Sequence, residues 1–377
     1  MRVIHIVHGR ANPAGHNGIS RVVYHLNKHE KALGLNSEIW AVTDDAKSHY
    51  THKRDKYVTI ECFPRVRFPF LRNQIIDRLI AEKDSIDLVH FHMIWFLDKN
   101  IIARALVNAR IPFVITTHGT YTKRHAYKGK RKVARWLYEL RYLQLAKEIR
   151  VISREEGTGL QRYGCTTSVF FVPHGIDMSE VEPTVTRRVA TDGRMRGIWV
   201  GVLRDDKNLH ALFHAVAMLD PSVRGQLRIE IAGPDYKGNM EKYRTLCRSL
   251  GVQDCFEFTG PKYRSEKFDA IVNADFYVMP SHSEAMSLAL LEGFACGRPA
   301  LLTSGCGWNY FAKRDFFVTC EPYAQDIALG LTELFERRAD WPAMGQRALQ
   351  TVRDELSWPA AARAMSANYE RIVSQCR

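Results

Sequence analysis

The sequence lacks any apolar run close to the roughly 20 residues that a membrane-spanning helix requires. The opening segment, 1–9, is short and interrupted by histidine, which is unlike a signal peptide. Low-complexity blocks and internal repeats are also missing, which excludes a disordered arm and a solenoid. We therefore expect a globular protein of the cytoplasm.

Paired cysteines are absent too. The eight cysteines are scattered along the chain and form neither a CxxC pair nor a zinc-type spacing. This pattern predicts reduced thiols rather than a disulfide framework or a zinc site.

Acidic residues are missing from one long stretch. None occurs between Asp98 and Glu139, and seven lysines and arginines crowd 123–135, within a chain of net charge +13. Such a segment attracts phosphates on lipids, nucleic acids or anionic substrates. Because 121–149 interleaves these cations with aromatic and aliphatic side chains, it is typical of an interfacial helix on an anionic bilayer. A basic face on a core-packed helix is the alternative.

The length of 377 residues exceeds what one hydrophobic core usually supports, so two domains are expected. In the first half, the pattern predicts a helix at 19–33 and buried strands at 3–7, 37–42, 88–91, 113–117 and 149–152. This alternation favours a parallel sheet covered by helices on both faces.

A polar interval at 173–197 is the predicted linker, after which the alternation restarts. Predicted elements are strands at 198–202, 227–232, 256–259, 276–279 and 300–303 and helices at 209–219, 240–250 and 286–296. The fold class is therefore α/β, with two Rossmann-like doubly wound domains and a ligand cleft between them. We expect the domains at 1–175 and 190–358, with a helix in 359–377 crossing back to the first.

Two glutamates, eight residues apart, mark the predicted helix at 286–296. Its free N–H groups and dipole near Met286 would suit a pyrophosphate. Glu284 stands before the helix, and Glu292 lies in its apolar interior, where a carboxylate needs a partner. One carboxylate can hold a transferred sugar and the other a ribose. Alternatively, Glu284 complements the helix dipole and Glu292 pairs with a buried basic residue.

Three further candidates lie in turns after predicted strands. Arg204 and Lys207 are expected to neutralise the charge on a departing nucleotide diphosphate, although a solvated loop also explains them. His118 follows the strand at 113–117, and its place at a strand end favours contact with a sugar or an acceptor over a structural role.

The turn at 12–21 joins the first strand to the first helix. Gly18 lies in it, and glycine lets the backbone approach a phosphate or a sugar closely. His174, in the junction at 172–177, receives no role.

Together, these motifs resemble the GT-B fold and, within it, the retaining glycosyltransferase family four, over nearly the whole chain. The resemblance implies a UDP- or GDP-sugar as donor, retention of anomeric configuration, and no metal or other cofactor. It assigns contacts as follows: Glu284 and His118 with the transferred sugar, Glu292 with the ribose, Lys207 with the diphosphate, and Met286, Ser287 and Leu288 with the distal phosphate.

The chain departs from the family pattern at three places. Val202 replaces the usual arginine after the glycine, which makes Arg204 a displaced substitute. Asn17-Gly18 stands for the usual Gly-Gly, and the glutamate expected after 305–307 is missing. These changes predict an altered donor or acceptor preference.

The expected function is sugar transfer to a glycan or lipid-linked acceptor in surface polysaccharide or glycolipid synthesis, at the inner face of the plasma membrane. A sugar-nucleotide epimerase of the same fold is the alternative enzyme. A nucleic-acid-binding protein ranks lower, because no helix-turn-helix, zinc finger or aromatic RNA-binding signature is present.

Overall fold

A computed structural model describes residues 1–9, 11, 18–44, 49–53, 56–65, 74–92, 97–122, 133, 138–181 and 193–376. The chain divides into two compact units. The first comprises 1–175 together with 358–377, and the second comprises 176–357.

The described strands of the first unit form one sheet. They are β1 (Arg2–His8), β2 (Asn36–Thr43), β3 (Tyr50–Lys53), β4 (Thr59–Pro64), β5 (Leu88–His92), β6 (Phe113–Thr116), β7 (Glu148–Val151) and β8 (Val169–Phe171). Their order is β3-β4-β2-β1-β5-β6-β7-β8, and every pair is parallel except β3 with β4. The helices are α1 (Gly18–Ala32), α2 (Gln74–Ala81), α3 (Leu97–Asn108), α4 (Leu140–Leu145) and α5 (Arg154–Arg162).

The second unit contains a parallel sheet. Its described strands are β9 (Met195–Val200), β10 (Leu227–Ala232), β11 (Phe256–Gly260), β12 (Phe276–Met279), β13 (Ala300–Thr303) and β14 (Phe317–Cys320), in the order β11-β10-β9-β12-β13-β14. The helices are α6 (Leu209–Met218), α7 (Pro221–Gly225), α8 (Asn239–Ser249), α9 (Arg264–Asn273), α10 (Leu288–Ala295), α11 (Ala324–Glu336) and α12 (Trp341–Glu355). The predicted class, two doubly wound α/β domains, is confirmed.

The last helix, α13 (Trp358–Ser374), belongs to the first unit. Trp358, Met365 and Tyr369 are almost fully buried, and they share one apolar cluster with Val22 and Leu26 of α1. This segment therefore completes the core of the first unit.

The topology of each sheet fixes where a ligand can approach. β1 lies between β2 and β5, and β9 lies between β10 and β12, so the chain changes direction across each sheet beside these strands. In open parallel sheets, ligands bind outside the carboxyl ends of the strands at such a point. The turn after β9 holds Lys207, and the loop after β12 holds Glu284.

Several predicted boundaries were wrong. β9 spans 195–200 rather than 198–202, so the predicted linker at 173–197 overlaps its start. α10 begins at Leu288, because Ser287 has extended backbone angles and its hydroxyl accepts a hydrogen bond from the N–H of Leu290. The short strands β3, β4, β8 and β14 were missed, since three or four residues give little periodic signal in most of them.

Most of the basic stretch, 123–132 and 134–137, lies outside the described residues. In its last helix, α4, Tyr142 and Leu143 are buried in the core, and Leu140 and Leu145 pack against it. In this part of the stretch, the apolar side chains pack as the alternative of a core-packed helix predicts, and contact with a membrane stays a prediction. None of the described helices combines the length and apolar character that crossing a bilayer requires.

Candidate functional site

The turn after β9 is held by side-chain and backbone hydrogen bonds. The N–H of Leu203 donates to the carbonyl of Pro234 at 3.1 Å. Asn239 donates its amide to the Leu203 carbonyl at 2.8 Å and to Asp205 Oδ1 at 3.2 Å. Because these bonds fix both flanks of the turn, the backbone that carries Lys207 is set before any ligand arrives.

Asn208 ties this turn to two other strand ends. It adopts a left-handed conformation, with φ of 58°, and is fully buried. Its amide donates to the carbonyls of Pro280 at 2.9 Å and Pro322 at 3.0 Å. The N–H of His282 also donates to the carbonyl of Asp206 at 3.2 Å. The loops after β9 and β12 therefore form one connected edge.

Lys207 and Glu284 meet at this edge as an ion pair. Their side chains are only 18% and 13% exposed, so the pair is partly shielded from solvent. An ammonium group has three hydrogens to donate, and the contact with Glu284 uses one of them. The ion pair therefore holds the Lys207 ammonium group in place and leaves it hydrogens that can bind phosphate oxygens.

Glycines in the loop after β13 shape the backbone beneath Glu284. The N–H of Glu284 donates to the carbonyl of Gly305 at 2.8 Å. A Cβ atom at Gly305 would lie 2.3 Å from the carbonyl oxygen of His282, and one at Gly307 would lie 2.2 Å from that of Ala285. Gly307 also has a φ of +73°. Only glycine allows this close approach of backbone to backbone.

The start of α10 follows directly after Glu284. Ser287 caps the helix, Met286 is buried, and Leu288 is the first helical residue. The first N–H groups of a helix have no partner within the helix, and the helix dipole adds positive potential there. This end of α10 thus offers hydrogen-bond donors and positive potential to an anion, two residues later than the sequence predicted.

Glu292 lies in α10 and is 4% exposed. Its Oε1 accepts a hydrogen bond from Lys267 Nζ of α9 at 2.6 Å. This pairing corresponds to the alternative in which a basic residue compensates the buried carboxylate. Sequence analysis did not identify Lys267, because nothing in the pattern of α9 distinguishes it from an ordinary surface lysine.

Arg204 is engaged within its own turn. Its guanidinium makes two hydrogen bonds with the carboxylate of Asp206, at 2.8 and 2.5 Å. These bonds raise the pKa of Arg204 above its ordinary value. The side chain is 44% exposed, in contrast to the shielded pair of Lys207 and Glu284.

The other two predicted residues belong to the first unit. Gly18 is exposed at the first position of α1, and the neighbouring residues 12–17 lie outside the described part of the chain. His118 follows β6 in a left-handed conformation, with φ of 49°. A non-glycine residue there is strained and needs support from its neighbours.

Glu156 supplies that support. Its Oε1 accepts hydrogen bonds from Thr117 Oγ1 and the N–H of Gly119, each at 2.5 Å, and its Oε2 accepts from the N–H of Ile152 at 3.0 Å. Burial of the carboxyl raises the pKa of Glu156. The residues on both sides of His118 are thus clamped by one buried side chain, which sequence analysis did not identify.

A chain of histidines runs from His118 into the sheet. His118 Nε2 lies 3.2 Å from His92 Nδ1, and His92 Nε2 lies 2.9 Å from His5 Nδ1. His5 Nε2 in turn lies 2.7 Å from Glu30 Oε2. Burial lowers the pKa of His92 and of His118 well below the ordinary value, so both rings are neutral near pH 7.

Three histidines of β1 and β5 place ring nitrogens within 4.8 Å of one another: His5, His90 and His92. Both nitrogens of His90 are already used, because they lie 2.6 Å from the hydroxyls of Tyr369 and Thr116. These contacts favour a hydrogen-bonded cluster over a metal centre.

A buried lysine adjoins the cluster. Lys99, near the start of α3, donates to the carbonyl of His92. Burial lowers its pKa from the ordinary value to about 7.

Most of each unit matches a model of a known family. A model of Glycosyltransferase Family 4 matches residues 16–180, and a model of the glycosyl transferases group 1 matches residues 191–351. Sucrose-phosphate synthase from Thermosynechococcus elongatus superimposes with a TM-score of 0.75 at 16% identity and covers 100% of both chains. HepE from Anabaena, solved with UDP and glucose, gives 0.71 at 13% identity, covering 98% of this chain and 100% of that one.

The fold is therefore GT-B. With both family models matched in order, the chain belongs to the group 1 glycosyltransferases, as the sequence motifs predicted.

Curated relatives share part or all of this architecture. The D-inositol 3-phosphate glycosyltransferase of Corynebacterium jeikeium is 31% identical over 157 residues, which is 38% of each chain. The similar protein of Kineococcus radiotolerans is matched over 52% of its length, so these relatives are covered by about half or less. The GDP-mannose:cellobiosyl-diphosphopolyprenol alpha-mannosyltransferase of Xanthomonas oryzae pv. oryzae is 24% identical, covering 97% of this chain and 100% of that protein.

Proposed function

We propose that this protein transfers a sugar from a UDP- or GDP-sugar to a glycan or lipid-linked acceptor, with retention of anomeric configuration. The observation that carries the proposal is the shielded ion pair of Lys207 and Glu284, immediately before the amino terminus of α10. This combination places a fixed cation and a helix dipole at the edge of the sheet where ligands of such folds bind.

The proposed donor contacts follow from charge. Breaking the bond between sugar and phosphate leaves negative charge growing on the departing diphosphate. The two remaining hydrogens of the Lys207 ammonium and the N–H groups at the start of α10 are oriented donors for that charge. We propose that these groups take the place of a divalent metal ion, so that the reaction proceeds in the presence of a chelator.

Glu284 and Glu292 are proposed to bind the hydroxyl groups of the donor. Glu284 accepts hydrogen bonds from hydroxyls of the transferred sugar while its other contact orients Lys207. Glu292 holds the ribose while its Oε1 is paired with Lys267. For His118, in the first unit, the proposed role is a hydrogen bond with a sugar hydroxyl.

The acceptor is proposed from a relative. The mannosyltransferase of Xanthomonas oryzae, matched over its full length, is named for GDP-mannose and for a polyprenol-linked acceptor. This supports a GDP-sugar and a lipid-linked glycan as the first pair to test, and a role in polysaccharide or glycolipid synthesis at a membrane surface.

A transfer assay tests the function. The protein is incubated with UDP- or GDP-sugars and polyprenol-linked or free glycans, with and without EDTA, and the anomeric coupling of the product is read by proton NMR. We expect a new glycosidic bond of the donor's configuration in both conditions. An epimerised sugar nucleotide without transfer would establish the epimerase alternative, and an inverted product would refute retention.

A further inference from the structure

The histidine chain beneath His118 ends in a buried carboxylate whose orientation is set by two neighbours. Asn27 donates its amide to Ser37 Oγ at 2.8 Å, and Ser37 donates its hydroxyl hydrogen to Glu30 Oε2 at 2.6 Å. Glu30, Ser37 and Asn27 are each fully buried. Since Oε2 already accepts from Ser37, it is an acceptor toward His5 as well.

The contact between Glu30 and His5 affects the position of the hydrogen on each of the following histidine rings. In a neutral His5 ring, a hydrogen on Nε2 toward Glu30 leaves a lone pair on Nδ1, which accepts from His92 Nε2. His92 Nδ1 is then an acceptor for His118 Nε2. A neutral imidazole has one N–H, so a hydrogen on Nε2 leaves a lone pair on Nδ1 in each ring in turn. With His5 neutral, reversing one ring alone would place two hydrogens or two lone pairs against each other.

His118 Nδ1 is therefore the last nitrogen of this series of histidines, at the end opposite Glu30. Within the described residues this atom is buried and has no hydrogen-bond partner. A buried acceptor without a partner is unfavourable in a folded protein, and it indicates that a donor group belongs there.

We propose that His5 is a neutral ring and that Glu30, His5 and His92 are positioning residues that fix His118 as the Nε2–H tautomer, so that Nδ1 is a hydrogen-bond acceptor for a ligand hydroxyl. The carboxylate acts through two intervening rings and does not touch the ligand. The part of this inference that concerns a sugar hydroxyl rests on the proposed function, whereas the tautomer itself does not.

The tautomer of His118 determines which ligand groups its ring can bind. An acceptor nitrogen attracts an O–H group and repels the oxygens of a phosphate or carboxylate. His118 in this form thus selects a hydroxyl-bearing ligand, and a protonated ring or the opposite tautomer would favour an anion instead.

Ring-resolved NMR of the full-length protein tests the tautomer without any substrate. The protein is labelled with 15N in its histidine rings, and the signal of His118 is assigned by its loss in His118→Asn. We expect the wild type to show an unprotonated Nδ1 and a protonated Nε2 at pH 7. A protonated Nδ1 would overturn the proposal, and this reading needs no variant that might misfold.

The role of Glu30 is tested by substitution. Glu30→Gln replaces the carboxylate with an amide that can donate as well as accept, so the His118 ring should become a mixture of tautomers or reverse. The matched control is Glu38→Gln, which alters a glutamate of β2 that pairs with Arg2 outside the histidine chain. An unchanged His118 spectrum in Glu30→Gln would contradict the proposed role of Glu30.

Activity separates this inference from the proposed function. With a working transfer assay, Glu30→Gln should lower kcat/KM by on the order of tenfold, the equivalent of about one neutral hydrogen bond, while Glu38→Gln does not. If the wild type transfers sugar but has a protonated Nδ1, the function stands and the inference falls. If the tautomer is as expected but no transfer occurs, the inference about the ring stands and the function falls.

Discussion

At the residue scale, a few buried or shielded charges define the candidate site. Lys207 and Glu284 are far apart in the chain and meet because parallel strands bring their carboxyl ends to one edge. Glu292 is compensated by Lys267, and the turn of His118 is clamped by Glu156. In the last two cases, a side chain of the predicted set is held by one that the sequence did not indicate.

Removing the cation at Lys207 tests its proposed role toward the diphosphate. Lys207→Ala should reduce kcat by about 10²- to 10³-fold, as expected when one oriented donor to a developing anion is lost. Because both side chains of the pair are largely shielded from solvent, removing Lys207 should also lower the melting temperature.

Arg347→Ala is the matched control for this substitution. Arg347 also forms ion pairs in the second unit, with Asp315 and Asp340, but these involve a separate group of side chains. Comparable losses of activity in both variants would show that Lys207 has no special role.

Three of the residues that sequence analysis identified share one property. Glu284, Lys207 and His118 each lie in the loop that follows a predicted strand, and position relative to a strand end is visible in a linear pattern. Glu156, Lys267 and Glu30 act from helices through contacts that only the packing creates. Periodicity cannot reveal such contacts, because a buried polar position in a helix looks like any other break in the apolar stripe.

At the element scale, the loop after β13 supports the site. Gly305 and Gly307 lie against the backbone of 282–285, so the path of that segment depends on their lack of side chains.

Gly307→Ala should therefore disturb both stability and donor binding. Its Cβ would press on the carbonyl of Ala285, and its φ of +73° disfavours a side chain. We expect a loss of about 1–3 kcal/mol in the free energy of unfolding and weaker binding of the nucleotide sugar. Chemical denaturation and calorimetric titration measure the two effects.

Gly225→Ala is the control for that experiment. A Cβ at Gly225, in α7, would meet nothing within 4 Å, so this variant should unfold and bind like the wild type. Equal behaviour of the two variants would contradict the packing described for the loop.

The elements themselves were predicted unevenly. The strands 227–232, 276–279 and 300–303 were correct to the residue. Short apolar runs define the last two, and strict alternation of apolar and charged residues defines the first. The start of α10 was misplaced by two residues, since Ser287 is extended and acts as its cap. Capping geometry depends on backbone angles, and Met286 gives no signal against helix.

At the scale of the whole molecule, the parallel sheets bury histidines that an isolated chain would expose to water. Burial lowers the pKa of His90, His92, His118 and His174 well below the ordinary value, so each is neutral in the folded state. The unfolded chain binds protons at these groups once the pH falls below about 6.5.

The free energy of unfolding should therefore fall as the pH drops below about 6.5. In that range the unfolded state binds more protons than the folded state, and each buried histidine contributes up to about 1.4 kcal/mol per pH unit. Lys99, with a pKa lowered to about 7, affects only the range above that value.

Thermal unfolding between pH 5 and 7.5 measures this dependence. We expect the melting temperature of wild type to decrease toward pH 5, and the decrease to be shallower in His174→Gln. A melting temperature that is flat across this range would mean that the histidines are not held neutral by burial.

The central claim is that the carboxyl edge of the second sheet binds the donor through Lys207 and the start of α10. A crystal structure with a bound UDP- or GDP-sugar tests it most directly. We predict diphosphate oxygens within hydrogen-bonding distance of Lys207 Nζ and of the first N–H groups of α10, with Glu284 facing the sugar. A nucleotide sugar bound with its diphosphate away from both groups would contradict the account.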